Sequence, residues 1–280
     1  MKMRNKRTGM RIFAFAVPLA LASGCFGQPA APGVRYQTRH FEKIAFGCGE
    51  KKDKPCVTFQ VDYPEFAVAP SENVLRALNH HVQVMTNTNP EGQEGTALIA
   101  PLSEQAARFI EEFDDLRSDF PDTQITYTVE RKVSVVFENP RVLSLKATGF
   151  DYMGGAHPNS FTMFHNIDLG TGQIIPLSEL VRPGGRPALN AAAEKALREQ
   201  KQMPDAQTLE QGGYFVKNIS LSDNYCIGES GLTFYFNSYD IAPNSMGPTD
   251  VFLPYSGIAA LLNEASGLLP QVAQKAPSAP

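Results

Sequence analysis

Apolar and polar positions alternate along most of this chain and shift to a helical period in a few separate stretches. Residues 35–46 and 57–63 alternate as strands, and Tyr63-Pro64-Glu65 ends the second, since proline cannot donate to a ladder. Ser71 then caps a helix to about Met85, with Val74, Leu75, Leu78, Val82 and Met85 on one face. After the polar stretch 86–95, read as an exposed loop, a second helix starts at Ser103 as its cap. Its stripe is Ala106, Phe109, Ile110, Phe113 and Leu116. Alternation resumes over 124–138, breaks at Asn139-Pro140, and continues over 141–152 and 160–168. Gly170-Thr171-Gly172 is a hairpin turn into 173–175, with glycines supplying positive φ. A helical turn at 177–181 precedes a helix opened by Pro187, with Leu189, Ala192, Ala193, Ala196 and Leu197 inward. Strands at 232–237 and 251–254 and a last helix over 256–264 complete an α+β chain. Its sheet is mostly antiparallel and its helices cover it.

The first 25 residues have a different pattern. Lys2, Arg4, Lys6, Arg7 and Arg11 precede an apolar run, 12–22, that is too short to span a bilayer. The run ends in Leu21-Ala22-Ser23-Gly24-Cys25, so residues 1–24 read as an export signal. Its end is similar to a lipobox, which implies that Cys25 is acylated and becomes the mature N-terminus. An ordinary secretory signal that happens to end near a cysteine is the alternative. Residues 25–35 form a lipidated cysteine and tether rich in Pro, Gly and Ala, and 266–280 read as a disordered tail. Phe26, and not Asp, follows Cys25. In a Gram-negative host that pattern resembles lipoproteins passed to the periplasmic face of the outer membrane; otherwise the cell surface is expected.

Charge narrows the partners. The whole chain is formally −4, but five of its 25 Lys and Arg lie in the first 24 residues. Without them 20 basic side chains face 29 acidic ones, a formal −9. That balance excludes nucleic acid, whose phosphates need clustered cations. It also excludes adhesion to anionic lipid through a basic face, leaving the acyl chain on Cys25 to hold the bilayer. Cys48 and Cys56 flank a strongly polar turn between two strands, and a disulfide stapling that hairpin is expected. Eight residues of separation make it a local staple. Cys226 is then left over, as a buried thiol or an alternative partner.

No catalytic motif or cofactor-binding motif is present. His80 and His81 are adjacent in a helix, roughly 100° apart, and cannot share a metal. His157, His165 and Asp168 are a candidate metal set only if they converge. The plainer reading is that His157 fixes a loop and His165 is a strand residue. Glu111, Glu112, Asp114 and Asp115 suggest a glycosidase pair but sit on the solvent face of a helix. Asp151-Tyr152-Met153-Gly154-Gly155-Ala156-His157-Pro158 stands out as a defined turn. It is either structural or a ligand loop in which Tyr152, Gly154, Gly155 and His157 offer contacts. A companion segment, 235–243, brings Tyr239 and Pro243 as a core edge or a contacting rim.

Several motifs occur in a familiar order: Gly154-Gly155-Ala156-His157-Pro158, Asn166-x-Asp168-x-x-Thr171-Gly172, Leu177-x-x-Leu180, Leu232-Thr233-Phe234-Tyr235-Phe236, Tyr239-x-Ile241-Ala242-Pro243 and Pro254-Tyr255. In this the chain resembles the extracytoplasmic module that forms the sensing region of the lysozyme-responsive anti-sigma factor RsiV. That module also accompanies the catalytic domain of PdaC-type peptidoglycan deacetylases. The motifs cover residues 141–262, and a resemblance of layout covers 36–140. The resemblance implies two associated α+β subdomains, 36–140 and 141–265. It also implies a non-enzymatic, lipid-anchored envelope module that binds a lysozyme-like protein or a peptidoglycan component. An envelope polysaccharide hydrolase and an assembly scaffold are the alternatives.

Overall fold

A computed structural model describes residues 33–48, 55–87 and 99–270. The expected export signal, Cys25, the expected tether up to Pro32 and the residues beyond Pro270 lie outside the described residues, as does most of the polar stretch 86–95. Among the described residues eight strands form two sheets. In the first, β1 (Arg35–Phe46), β2 (Cys56–Val68), β3 (Thr126–Glu138), β4 (Val142–Met153) and β5 (Asn159–Asp168) lie side by side in chain order. Every pairing is antiparallel except β2 with β3, which is parallel. A parallel pair needs a crossover, and α1 (Glu72–Asn87) and α2 (Leu102–Asp119) supply it.

Both crossover helices cover one face of this sheet. Val74, Leu78, Val82 and Met85 of α1 pack with Phe66, Val133, Leu143, Leu145 and Ala147. Ala106, Phe109 and Phe113 of α2 pack with Val57, Phe59, Val61 and Val129. Each fully buried side chain of this kind contributes about 1.5–3 kcal/mol. The acids at 111, 112, 114 and 115 are exposed, as the helical stripe requires. Ser71 caps α1, its Oγ accepting the Val74 N–H at 3.3 Å. Ser103 does not cap α2. Pro101 occupies that position without a side-chain bond, and the N–H groups of Glu104 and Gln105 donate to its carbonyl.

The second sheet comprises β6 (Tyr225–Ile227), β7 (Gly231–Phe236) and β8 (Thr249–Pro254), all antiparallel. It shares a core with α3 (Leu177–Leu180), α4 (Arg186–Gln200) and α5 (Tyr255–Ile258). Leu189, Ala193 and Leu197 of α4 are fully buried there beside Tyr225, Phe234 and Val251. The chain is therefore α+β with mostly antiparallel sheets.

The structure corrects some of the sequence expectations. β2 does not end at Pro64 but runs to Val68. Its last pairing with β3 is at Asp62, so proline's missing N–H falls where β1 alone flanks the strand. Thr86 belongs to α1 and is buried. The 173–175 segment makes only an isolated bridge, Ile167 to Ile174, and in the preceding turn Gly172 alone has positive φ. The last helix is one turn, followed by short 3₁₀ turns. Leu262 is extended and bridges Val181, which takes it out of the helical path.

Asparagine side chains join the two sheets. Asn166 donates from Nδ2 to the Tyr225 carbonyl at 2.7 Å and accepts the Ile227 N–H on Oδ1 at 2.9 Å. Ser144 Oγ donates to the same Oδ1. Asn224 accepts the Phe164 N–H and donates to the Thr162 carbonyl, while Asn237 accepts the Thr162 N–H at 2.7 Å. A carboxamide carries the donor and acceptor of a peptide, so Asn224 and Asn237 occupy the outer edge of β5 in place of a sixth strand, and Asn166 of β5 does the same for β6.

Candidate functional site

The turn between β4 and β5 holds most of the sequence candidates. Gly154 has φ +77, and a Cβ there would lie 2.3 Å from Ile125 Cγ2, so backbone angle and close approach both require glycine. Gly155 has neither constraint; the space around it is open. His157 is exposed, and its Nδ1 donates to the Pro158 carbonyl at 3.2 Å. Tyr152 is half-buried, and Asp151 turns inward. Its carboxylate receives Arg131, with Nη2 to Oδ2 at 2.8 Å, and both side chains are under 10% exposed. The Arg131 guanidinium also lies 5.2 Å over the Phe161 ring, which occupies the space that a side chain at Gly149 would need. The turn therefore stands on a buried ion pair.

Ile125, beneath Gly154, lines a hollow of about 630 Å³ together with Leu116, Phe120 and Pro121. Asp119 and Asp122 also border it, and Phe120 is 63% exposed. At the same end of the sheet, Cys56 pairs with Thr126, and Cys48 and Cys56 form the expected disulfide with Cα atoms 4.7 Å apart. Phe46, which ends β1, packs on Phe113 and receives the Arg117 guanidinium at 4.9 Å. Cys226 is a half-buried thiol that donates to the Ile227 carbonyl, and burial pushes it up to about 11.

Tyr239 is exposed and held at φ +73, unusual for a residue with a side chain. Its N–H donates to the Ala242 carbonyl, and Asp240 accepts the Asn237 N–H. Ile241 and Ala242 are buried beneath it, and Pro243 is half-buried. This segment meets β5 through Asn237 at Thr162, three residues beyond the strand's start at the other turn. Among the described residues no hydrogen bond or ring contact links the two segments.

The histidines do not form a metal site. Arg141 holds Asp168 at 2.8 Å, His157 is out in solvent, and no three His, Cys, Asp or Glu side chains converge among the described residues. His165 is more than an ordinary strand residue. It is buried, with the His81 ring edge-on at 5.4 Å, and His81 Nε2 in turn donates to the Gly172 carbonyl. Burial first, and the neighbouring His81 second, push His165 down to about 4. Helical spacing showed only that His80 and His81 diverge. The partner 84 positions on was not visible from that spacing.

A larger groove, about 710 Å³, lies where α1 ends, α2 begins and β2 passes; Tyr63, Phe66 and Gln83 line it. Asn79 and Asn87 also line it but are engaged with backbone, Asn79 with both the N–H and the carbonyl of Phe66.

Comparison with known proteins adds a family relationship. Residues 50–160 match the model described as deacetylase PdaC, and residues 178–256 match a protein family of unknown function, DUF3298. No curated protein matches the chain. The fold is shared with a solved DUF3298 protein from Bacteroides fragilis at TM-score 0.68. That pair has 21% identity, covering 85% of this chain and 98% of that one. It is shared also with a DUF3298 protein from Pseudomonas aeruginosa at TM-score 0.61 and 18% identity, covering 84% and 97%. Two segments of the chain, in this order, are thus similar to the PdaC and DUF3298 family models, and its fold is that of the solved DUF3298 proteins.

Proposed function

We propose that the chain is a non-enzymatic, lipid-anchored binding module of the cell envelope. Its ligand is a lysozyme-like protein or a peptidoglycan component. The observation that carries this reading is the tandem of a segment similar to deacetylase PdaC and a DUF3298 segment, which suggests an extracytoplasmic, envelope-related domain. The lipobox-like Leu21-Ala22-Ser23-Gly24-Cys25 supports export and acylation at Cys25. The Cys48–Cys56 disulfide suits an oxidising compartment. The Gly154–Pro158 turn and the Tyr239–Pro243 segment are the proposed contact regions: exposed, yet set on buried supports. An acidic chain meets a basic lysozyme faster at low salt, so the affinity that matters is the one at physiological ionic strength.

The test is a binding isotherm of the purified chain with a c-type lysozyme, and a second with soluble peptidoglycan fragments, each at low and physiological salt. Saturable one-to-one binding that survives physiological salt is the expected result for one of the two. Binding of neither ligand would overturn the reading. Turnover of the fragments that is abolished by a single His or Asp substitution would replace it with a hydrolase.

A further inference from the structure

On the face of the first sheet opposite α1 and α2, the second sheet buries Ser144, Thr162, Phe164 and Asn166 at the β4–β5 end, while the part carried by β1, β2, β3 and the outer half of β4 is open among the described residues, and register fixes what it displays. His40, Asp62, Lys132, Thr148 and Thr162 are successive cross-strand partners from β1 to β5. The next row, about 7 Å along the strands, is Glu42, Gln60, Glu130, Phe150 and Ser160. Between these rows lies a hollow of about 230 Å³, lined by Gln60, Asp62, Glu130, Lys132, Thr148 and Phe150. Phe150 is half-buried among them, a large apolar ring among the polar side chains of these two rows.

The hydrogen-bonding capacity here is partly spent and partly open. His40 Nδ1 donates to Asp62 at 2.7 Å and Gln60 Nε2 donates to Glu42 at 2.6 Å, which holds the near wall in place. The side chains of Glu130, Lys132 and Thr148 make no hydrogen bond among the described residues, the Arg131 guanidinium reaching only the Glu130 carbonyl. Together they offer an acceptor, a donor and a hydroxyl within one strand spacing of an aromatic ring. Hydroxyl groups that both donate and accept, arrayed round a ring with an apolar face, match that combination. Two carboxylates against one ammonium leave no surplus of positive charge to hold an anion.

We propose that this face binds a neutral sugar unit of a glycan chain. Phe150 stacks beneath the ring, and Glu130, Lys132 and Thr148 take its hydroxyls. The assignment rests on the peptidoglycan arm of the reading above and gives it a site separate from the Gly154 turn.

The purified chain is titrated calorimetrically with chitotetraose, with a c-type lysozyme as the parallel ligand. Saturable chitotetraose binding is expected, weakened about five-fold or more by Phe150→Ala and by Glu130→Gln. Lys195→Ala, on the exposed face of α4, should leave it unchanged. Thr148→Val, which keeps volume and removes one hydroxyl, stands in if Phe150→Ala fails to fold. Saccharide binding that keeps its affinity in Phe150→Ala, Glu130→Gln and Thr148→Val would overturn the platform while leaving a glycan ligand, held elsewhere. No saccharide binding with lysozyme still bound would overturn the platform and leave the protein-ligand arm. Loss of both would overturn both readings.

Discussion

Asp151 and His165 carry more of this molecule than their neighbours in the sequence suggest. Asp151 opens the segment that stands out as a ligand loop, yet its carboxylate is spent on Arg131 inside the sheet. Removing one partner strands a buried charge, which costs about 3–5 kcal/mol. Asp151→Ala is therefore expected to lower the unfolding free energy, read from denaturant melts, by that amount, whereas Gly155→Ala, at ordinary φ with nothing nearer than 3.9 Å, should leave it within about 0.5 kcal/mol. His165 sets a pH dependence. Its folded-state pKa lies below the ordinary 6.5, near 4, so folding favours the neutral ring. The stabilisation is fully present above pH 6.5 and declines as pH falls toward 4, by about 3 kcal/mol over that window. Urea melts should show the stability gap between the parent and His165→Leu narrowing as pH falls from 7 to 4. A constant gap would place the titration elsewhere.

At the scale of elements, period alone located most strands and the helices α1, α2 and α4. Valine, leucine and phenylalanine recur there at the spacing that burial demands. β6 was not legible: Tyr225-Cys226-Ile227 is three residues long, and its place is set by Asn166, some sixty positions earlier. The run 256–264 has helical content, but Leu262 is claimed by Val181 across the fold. The candidate turn was visible through its glycines. Its dependence on Ile125 was not, nor was the polar face, because cross-strand rows follow from register and not from local composition. The pairing of Asn166 with the β6 backbone yields a prediction at this scale. Asn166→Ala leaves the buried Tyr225 carbonyl and Ile227 N–H unpaired, at about 1–3 kcal/mol for each group. Amide hydrogen exchange should therefore quicken first in β6 and at the facing positions of β5, ahead of β1 and β2.

For the whole molecule, attachment and charge act together. In the proposed lipoprotein, loss of residues 1–24 leaves a strongly acidic chain, for which an acyl anchor and not Coulomb attraction is the expected hold on a bilayer. Cys25→Ala is expected to move the protein from the membrane fraction to the soluble one and to abolish incorporation of labelled fatty acid. Retention of label at another residue would refute the anchor.

The staple between Cys48 and Cys56 lies wholly within the β1–β2 hairpin, ahead of the crossover that brings β3 alongside. In the proposed export route, a chain emerging N-terminus first exposes both cysteines before α1, α2 or β3 has left the channel. Oxidation can then close the hairpin while most of the protein is still in transit, and β3 docks later onto a finished edge. The slow, long-range step of assembly, parallel pairing across two helices, thus begins from a template that is covalently closed.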